Sequence, residues 1–286
     1  MKEIMKEENR EGSQAKPRIE SEPSASLPLR VSRSAFGFLK RTLAIFVFFG
    51  IWEALPRCGV IDPFFLPPFS VVIATIWDML LSGEFFVHLF ASLKRALSGF
   101  FLGFTVSVSL GLLIGWFGPV EKFLDPLLQA LRQTSALALF PVFILFFGIG
   151  ETAKIAIIFW GVQWPLLLNT TAGVKNVDPL LIKAARSMAA PDLTIFFRVV
   201  LPSSLPYIFT GARLSATTSI LILIAAEMVG AKAGLGFLVF DAQQKFEIPR
   251  MYAGILSMST LGFAANCILL FLEKKYTSWK PRAAGS

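Results

Sequence analysis

The sequence predicts an all-α, polytopic membrane protein with six transmembrane helices, and three observations predict it. Hydrophobic residues make up 55% of the 286-residue chain and charged residues only 16%, against about 25% in a typical soluble domain. Mean hydropathy is +0.65. Six separate runs come close to the roughly 20 apolar residues that a helix needs to cross the hydrocarbon core.

In chain order, residues 1–29 are polar, mixed in charge and rich in Ser, Pro and Glu. Nothing there can bury a core, so a disordered cytoplasmic tail is expected. It is too long and too acidic to open a signal peptide. The membrane domain follows over 30–280 and leaves a short tail at 281–286. The expected spans are 39–55, 96–117, 127–149, 152–174, 203–229 and 251–272. The third is the weakest, with Arg132 and Gln133 in its first half and Pro141 inside. The stretch 58–93 is not expected to span. Pro63, Pro67 and Pro68 break its start, and residues 70–81 suit a short interfacial helix, with a re-entrant segment as the competing reading.

Six spans put both ends on one side. With the N-terminus inside, fourteen Lys and Arg fall in inner segments and seven in outer ones. This bias predicts cytoplasmic termini and explains the net charge of +8 without an anionic solute. Lys94 and Arg95 fit this topology least well, since they lie on the outer side.

Catalytic chemistry finds little support. The single histidine, His88, gives no triad and no zinc site, and Cys58 and Cys267 fit no metal spacing and no disulfide framework. The dipeptide Gly-Lys is absent, so there is no phosphate-cradling loop of the usual kind. The sequence assigns no catalytic, cofactor-binding or metal-ligating residue and no nucleic-acid partner. Glu227 is the notable charge inside a span. A carboxylate there faces protein or water, so it is either a pathway or gate residue or a structural partner near the outer interface. Gln163 and Asn169 pose the same choice. Gly99, Gly103, Gly111 and Gly115 make a small-residue stripe, for packing within the subunit or for a dimer or gate surface.

The most informative segment is 175–202. It reads Lys183-Ala184-Ala185, then Arg186, Ser187 and Met188, then Ala189-Ala190-Pro191-Asp192, and ends past Phe196-Phe197 at Leu201-Pro202. It resembles the signature cytoplasmic loop of ABC-importer permeases, in which Glu-Ala-Ala is followed after three residues by Gly and, further on, by Leu-Pro. Around it come Leu124-Asp125-Pro126-Leu127, Gly148-Ile149-Gly150-Glu151, Val177-Asp178-Pro179, Ala226-Glu227-Met228 and Gly234-Leu235-Gly236-Phe237. In that order and spacing they resemble the sulfonate/nitrate/taurine branch of these permeases.

The resemblance implies a type I importer permease fold with two cytoplasmic coupling helices. It implies a homodimeric pore in the bacterial inner membrane, a separate ABC ATPase that carries ATP and Mg, and an extracytoplasmic substrate-binding protein. Coupling to the ATPase would fall to Lys183, Ala184, Ala185, Arg186, Ala189, Ala190, Phe197, Leu201 and Pro202, and the pathway to Glu227, Gln163, Asn169 and Asn266. The implied solute is a small anion such as a sulfonate, taurine or nitrate, with an aromatic or pyrimidine-type compound as the alternative. An intramembrane enzyme and a stand-alone channel are the competing classes. The chain departs from the family at Lys183 (family Glu), Ala189 (family Gly), Asn266 (often Asp) and Thr134-Ser135-Ala136 (a proline-containing stretch).

Overall fold

The computed structural model describes residues 30–276, with side chains from Leu43 onward. The expected tails at 1–29 and 281–286 lie outside the described residues. The chain divides into two compact units at Ile51 and Trp52. The first unit contributes most of one helix, α1 (Arg30–Arg57), on which the first expected span falls.

All described elements of the second unit are helical. They are α2 (Phe69–Leu81), α3 (Glu84–Trp116), α4 (Gly118–Arg132), α5 (Ala136–Phe147), α6 (Glu151–Lys175), α7 (Pro179–Ser187), α8 (Asp192–Ile195), α9 (Leu201–Met228), α10 (Leu235–Gln244) and α11 (Ile248–Tyr276). A π-helical turn, Phe196–Val200, joins α8 to α9. Among the described residues, four rods are long and apolar enough to cross a membrane: α3, α6, the continuous helix 192–228 and α11. The pair α4 and α5 makes a fifth if taken as one broken span. α2 is apolar but too short to span at 13 residues, which fits the interfacial and the re-entrant readings alike.

Three expectations change. The second span begins at Glu84 rather than residue 96. The Lys94-Arg95 pair reads as an interface in sequence, but Arg95 is buried and neutralised by carboxylates of other helices, so the helix runs through it. The third span is not one helix: α4 and α5 meet at 93° across residues 133–135. The second coupling helix is not separate, because α8 continues through the π-turn into α9.

The glycine stripe explains the central packing. A Cβ on Gly103 would lie 2.7 Å from Val162, and one on Gly111 or Gly115 would lie 2.7 Å from Thr170 or Val174. Each glycine of α3 thus meets a residue 59 positions later on α6, so the two helices run parallel in close contact. The stripe serves packing within the subunit. Because α3 and α6 are parallel, the bent α4–α5 pair must return the chain across the bundle. α9 runs antiparallel to α6, with Gly173 against Ser204 and Gly161 against Ile222. The Ser215 hydroxyl donates to the Val162 carbonyl at 2.6 Å across that contact. Ala153, Ile157, Ile158 and Val162 of α6 form the buried core with Phe140 of α5 and Ile222, Leu223 and Ala226 of α9.

One end of the bundle therefore collects the start of α3, the start of α6, the end of α9 and α10. The other collects the end of α3, α4, the end of α6 and the segment 176–202.

Candidate coupling surface and the polar cluster at the opposite end

Asp178 opens the first short helix. Its carboxylate accepts the Leu180 N–H at 2.8 Å, and Pro179 takes the first helical position, where no N–H is needed. The end of α7 is closed by the pairing of a Schellman motif: Ala190 N–H donates to the Ala185 carbonyl and Ala189 N–H to that of Arg186. This closure needs a left-handed residue, and Ala189 supplies it at φ +57°. The glycine of the related pattern falls at that position for a steric reason, and Ala189 meets it under strain.

Pro191 then restarts the chain, with Asp192 in the first turn, 3.6 Å from Arg186. Ile195 and Val200 are fully buried with Val174 and Val177, and Ala185, Ala190, Phe196 and Val199 pack around them. Phe196 meets Trp116 of α3 edge-on at 5.5 Å. Phe196, Val199 and Val200 therefore face their own bundle, whereas Phe197 is 59% exposed. Leu180, Leu181, Met188 and Leu193 are exposed on the same segment, as are Lys183, Ala184, Arg186 and Ala189. Leu201 and Pro202 are half-buried. Lys183 makes no ion pair among the described residues.

At the other end the structure assembles a cluster that sequence reading reached only through Glu227. Arg95 is 4% exposed and Glu227 0%. Arg95 Nε and Nη2 donate to the two carboxylate oxygens of Glu151 at 2.6 Å each, a bidentate pair. Its Nη1 donates to Glu227 Oε1 and to the Ala233 carbonyl, also at 2.6 Å. The Ser92 hydroxyl lies 2.8 Å from both Glu227 oxygens and accepts the Leu235 N–H. Gly236 N–H donates to Glu227 Oε2, and Gly234 N–H to His88 Nδ1. Lys154, 2% exposed, holds the Gly150 and Gly230 carbonyls at 3.4 Å. A Cβ on Gly234 would strike the Glu227 carboxylate, and φ there is +137°. Only glycine lets the turn before α10 wrap this close.

Two cations and two carboxylates thus tie α3, α6, α9 and the 229–236 turn together. Gln163, Asn169 and Asn266 do not join this cluster or each other. Asn169 donates to the Pro165 carbonyl of its own helix at 2.7 Å, and all three are half-buried. Arg95, Ser92, His88, Glu151 and Lys154 were not picked out as a site. The available signal was that three of the short matching pieces, around Glu151, Glu227 and Gly234, converge here.

Residues 103–278 match the family described as binding-protein-dependent transport system inner membrane component. The chain is 34% identical to the aliphatic sulfonates transport permease protein SsuC of Bacillus subtilis, over 92% of this chain and 98% of that protein. It is 31% identical to the taurine transport system permease protein TauC of Escherichia coli, over 83% and 88%. It is 29% identical to the nitrate import permease protein NrtB of Leptolyngbya laminosa, over 90% and 94%. Among solved structures it resembles a chain of the methionine ABC transporter MetNI in an inward-facing conformation, with a TM-score of 0.60 at 18% identity, covering 66% of this chain and 94% of that one.

Proposed function

The chain belongs to the binding-protein-dependent transport system inner membrane component family, and from that premise we propose that it forms the solute pathway of an importer for small anions, of the sulfonate, taurine or nitrate kind. As an ABC importer permease it is a transport component, and ATP hydrolysis belongs to a partner ATPase. The solute class rests on what its relatives are named for. Two copies of the chain would form the pore, an extracytoplasmic binding protein would deliver the solute, and both termini would face the cytoplasm.

The observation that carries this reading is the segment 178–202. It presents exposed apolar side chains, Met188 at 83% exposure at the end of α7 and Leu193 at 73% on the helix that runs unbroken into α9. Exposed apolar residues at a bundle end need a partner, and the rigid continuation gives that partner a grip on a spanning helix. Coupling is assigned to Lys183, Ala184, Ala185, Arg186, Ala189, Ala190, Phe197, Leu201 and Pro202. Ala185, Ala190, Leu201 and Pro202 act from behind, as the packed base of the surface.

Ala184→Arg tests this. Ala184 is exposed, so the fold accepts the change, while a close helix contact does not. The variant should insert normally but lose ATPase stimulation by the solute-loaded binding protein, and normal stimulation would refute the assignment. In the same assay Lys183→Glu should weaken ATPase association, most at low salt. The cognate groove would then carry an acidic or neutral polar group opposite Lys183. Association unchanged at every salt concentration would place Lys183 outside the groove.

A further inference from the structure

A cavity of about 210 Å³ lies between α4 and α6. Glu121, Asp125, Gln129 and Arg132 line it from α4, and Trp164, Thr171 and Lys175 are among those lining it from α6. Glu121 and Lys175 form an ion pair at one end of it. From Glu121 to Arg132 is 11 residues, and from Lys175 back to Trp164 is 11 residues, about 16 Å of helix in each case. The two helices therefore run side by side in opposite directions. Arg132 and Trp164 lie at the far end, about half-way through a hydrocarbon core of about 30 Å. Sequence alone set Arg132 in the first half of the third expected span; the fold sets it at the cavity end lined by Trp164, near the midpoint of α6.

A cation at that depth is costly unless it faces protein or water. Arg132 is exposed on this chain and makes no ion pair or side-chain hydrogen bond among the described residues. The next three residues, Gln133, Thr134 and Ser135, are exposed and form the break between α4 and α5. Broken backbone at membrane depth occurs only where it is buried in protein or lines an aqueous cavity. Trp164 lines the same end, but its indole nitrogen, like that of Trp160 one turn along, is buried with no hydrogen-bond partner among the described residues and does not open onto the cavity. The arginine that does open onto it offers donors and no acceptor. The carboxylates of the cavity lie toward its other end, where Glu121 is satisfied by Lys175.

We infer that this end of the α4–α6 cavity is a station for a small oxoanion on the solute pathway, with Arg132 supplying the charge and the hydrogen-bond donors. The inference rests on the importer reading for the identity of the solute, but not for the field that the site generates. Mid-depth separates this ligand from a lipid headgroup, which sits at the interface.

The test uses the permease–ATPase complex in nanodiscs, with Cys58→Ser, Cys267→Ser and Thr134→Cys. It compares the labelling rates of an anionic thiosulfonate (sulfonatoethyl) and a cationic one (trimethylammonioethyl), each normalised to a free thiol. The anionic reagent should react about tenfold faster, the low end of focusing by a charged cleft. Arg132→Gln should bring the ratio near one, and Arg132→Lys should preserve it. A ratio indifferent to Arg132→Gln, or no labelling by either reagent, overturns the station. Uptake of labelled taurine, ethanesulfonate and nitrate by the wild-type complex is measured alongside in sealed proteoliposomes, with the binding protein and ATP supplied. Should none be taken up while the labelling ratio still follows Arg132, the solute assignment falls and the anion station stands. Should the wild-type complex take them up, Arg132→Gln must reduce uptake at least about fivefold with ATPase stimulation intact, and unchanged uptake counts against the station.

Discussion

Glu227→Gln removes one charge from the polar cluster and keeps its shape. The amide oxygen can still accept from Gly236 N–H and Ser92, so no cavity forms. What is lost is the ionic bond to Arg95, in a place where the two side chains are 4% and 0% exposed. Breaking a buried pair costs about 3–5 kcal/mol. Arg95 keeps its bidentate grip on Glu151, which argues for the lower end, about 3 kcal/mol. Glu151→Gln breaks the other arm of the same arginine. Glu151 is 55% exposed, and an ion pair open to solvent is worth at most about 1 kcal/mol. At about 2–4 °C per kcal/mol for a chain of this size, Glu227→Gln should lower the melting temperature by about 6–12 °C, and Glu151→Gln by about 2–4 °C. Thermal unfolding of the two purified variants in one detergent reads the difference. Equal small shifts would show that water reaches the cluster and that burial does not govern it. An unchanged melting temperature with lost transport would instead make Glu227 a pathway residue.

Two further outcomes follow from local geometry. Ala189→Gly relieves a left-handed alanine at φ +57° and should stabilise the chain by about 1 kcal/mol, a rise of about 2–4 °C by the same assay; no gain would mean the turn relaxes without strain. Gly103→Val should destabilise by about 3 kcal/mol or more, since even its Cβ would sit 2.7 Å from Val162; tolerance would show that α3 and α6 can separate.

The spans α6, α9 and α11 were legible because few charges interrupt their apolar runs: Lys154 in the fourth expected span, Arg213 and Glu227 in the fifth and none in the sixth. The start of α3 was not. A window that meets Lys94 and Arg95 reads an interface, and the residues that cancel Arg95 lie 56 and 132 positions away. The α4–α5 bend was hidden for a different reason: summed hydropathy carries no direction, so a run that turns through 93° looks like one that continues. The coupling segment was readable as a pattern of residues. Its inward and outward faces were not, because Phe196 and Phe197 are alike in composition and only Trp116 separates their roles. Glu227 announced itself as a costly charge. Its partners did not, since Ser92 and Gly234 are unremarkable one at a time.

Residues 192–228 form a single rod of 37 residues, about 55 Å from tip to tip. Mechanically it is a lever with a different boundary condition at each end. At one tip Leu193 and Phe197 are free to be pushed. At the other, Glu227 is fastened to Arg95 and through it to α3 and α6. A tilt of about 10° about the middle carries each tip about 5 Å, far more than a hydrogen bond can stretch. A load applied at the free tip thus cannot slide α9 past its neighbours at the far end. It must either rotate three helices as a block or be taken up in the π-turn, where the wider coil lets α8 twist against α9. The stiffness of that one turn then sets how much of a push reaches the opposite face of the membrane.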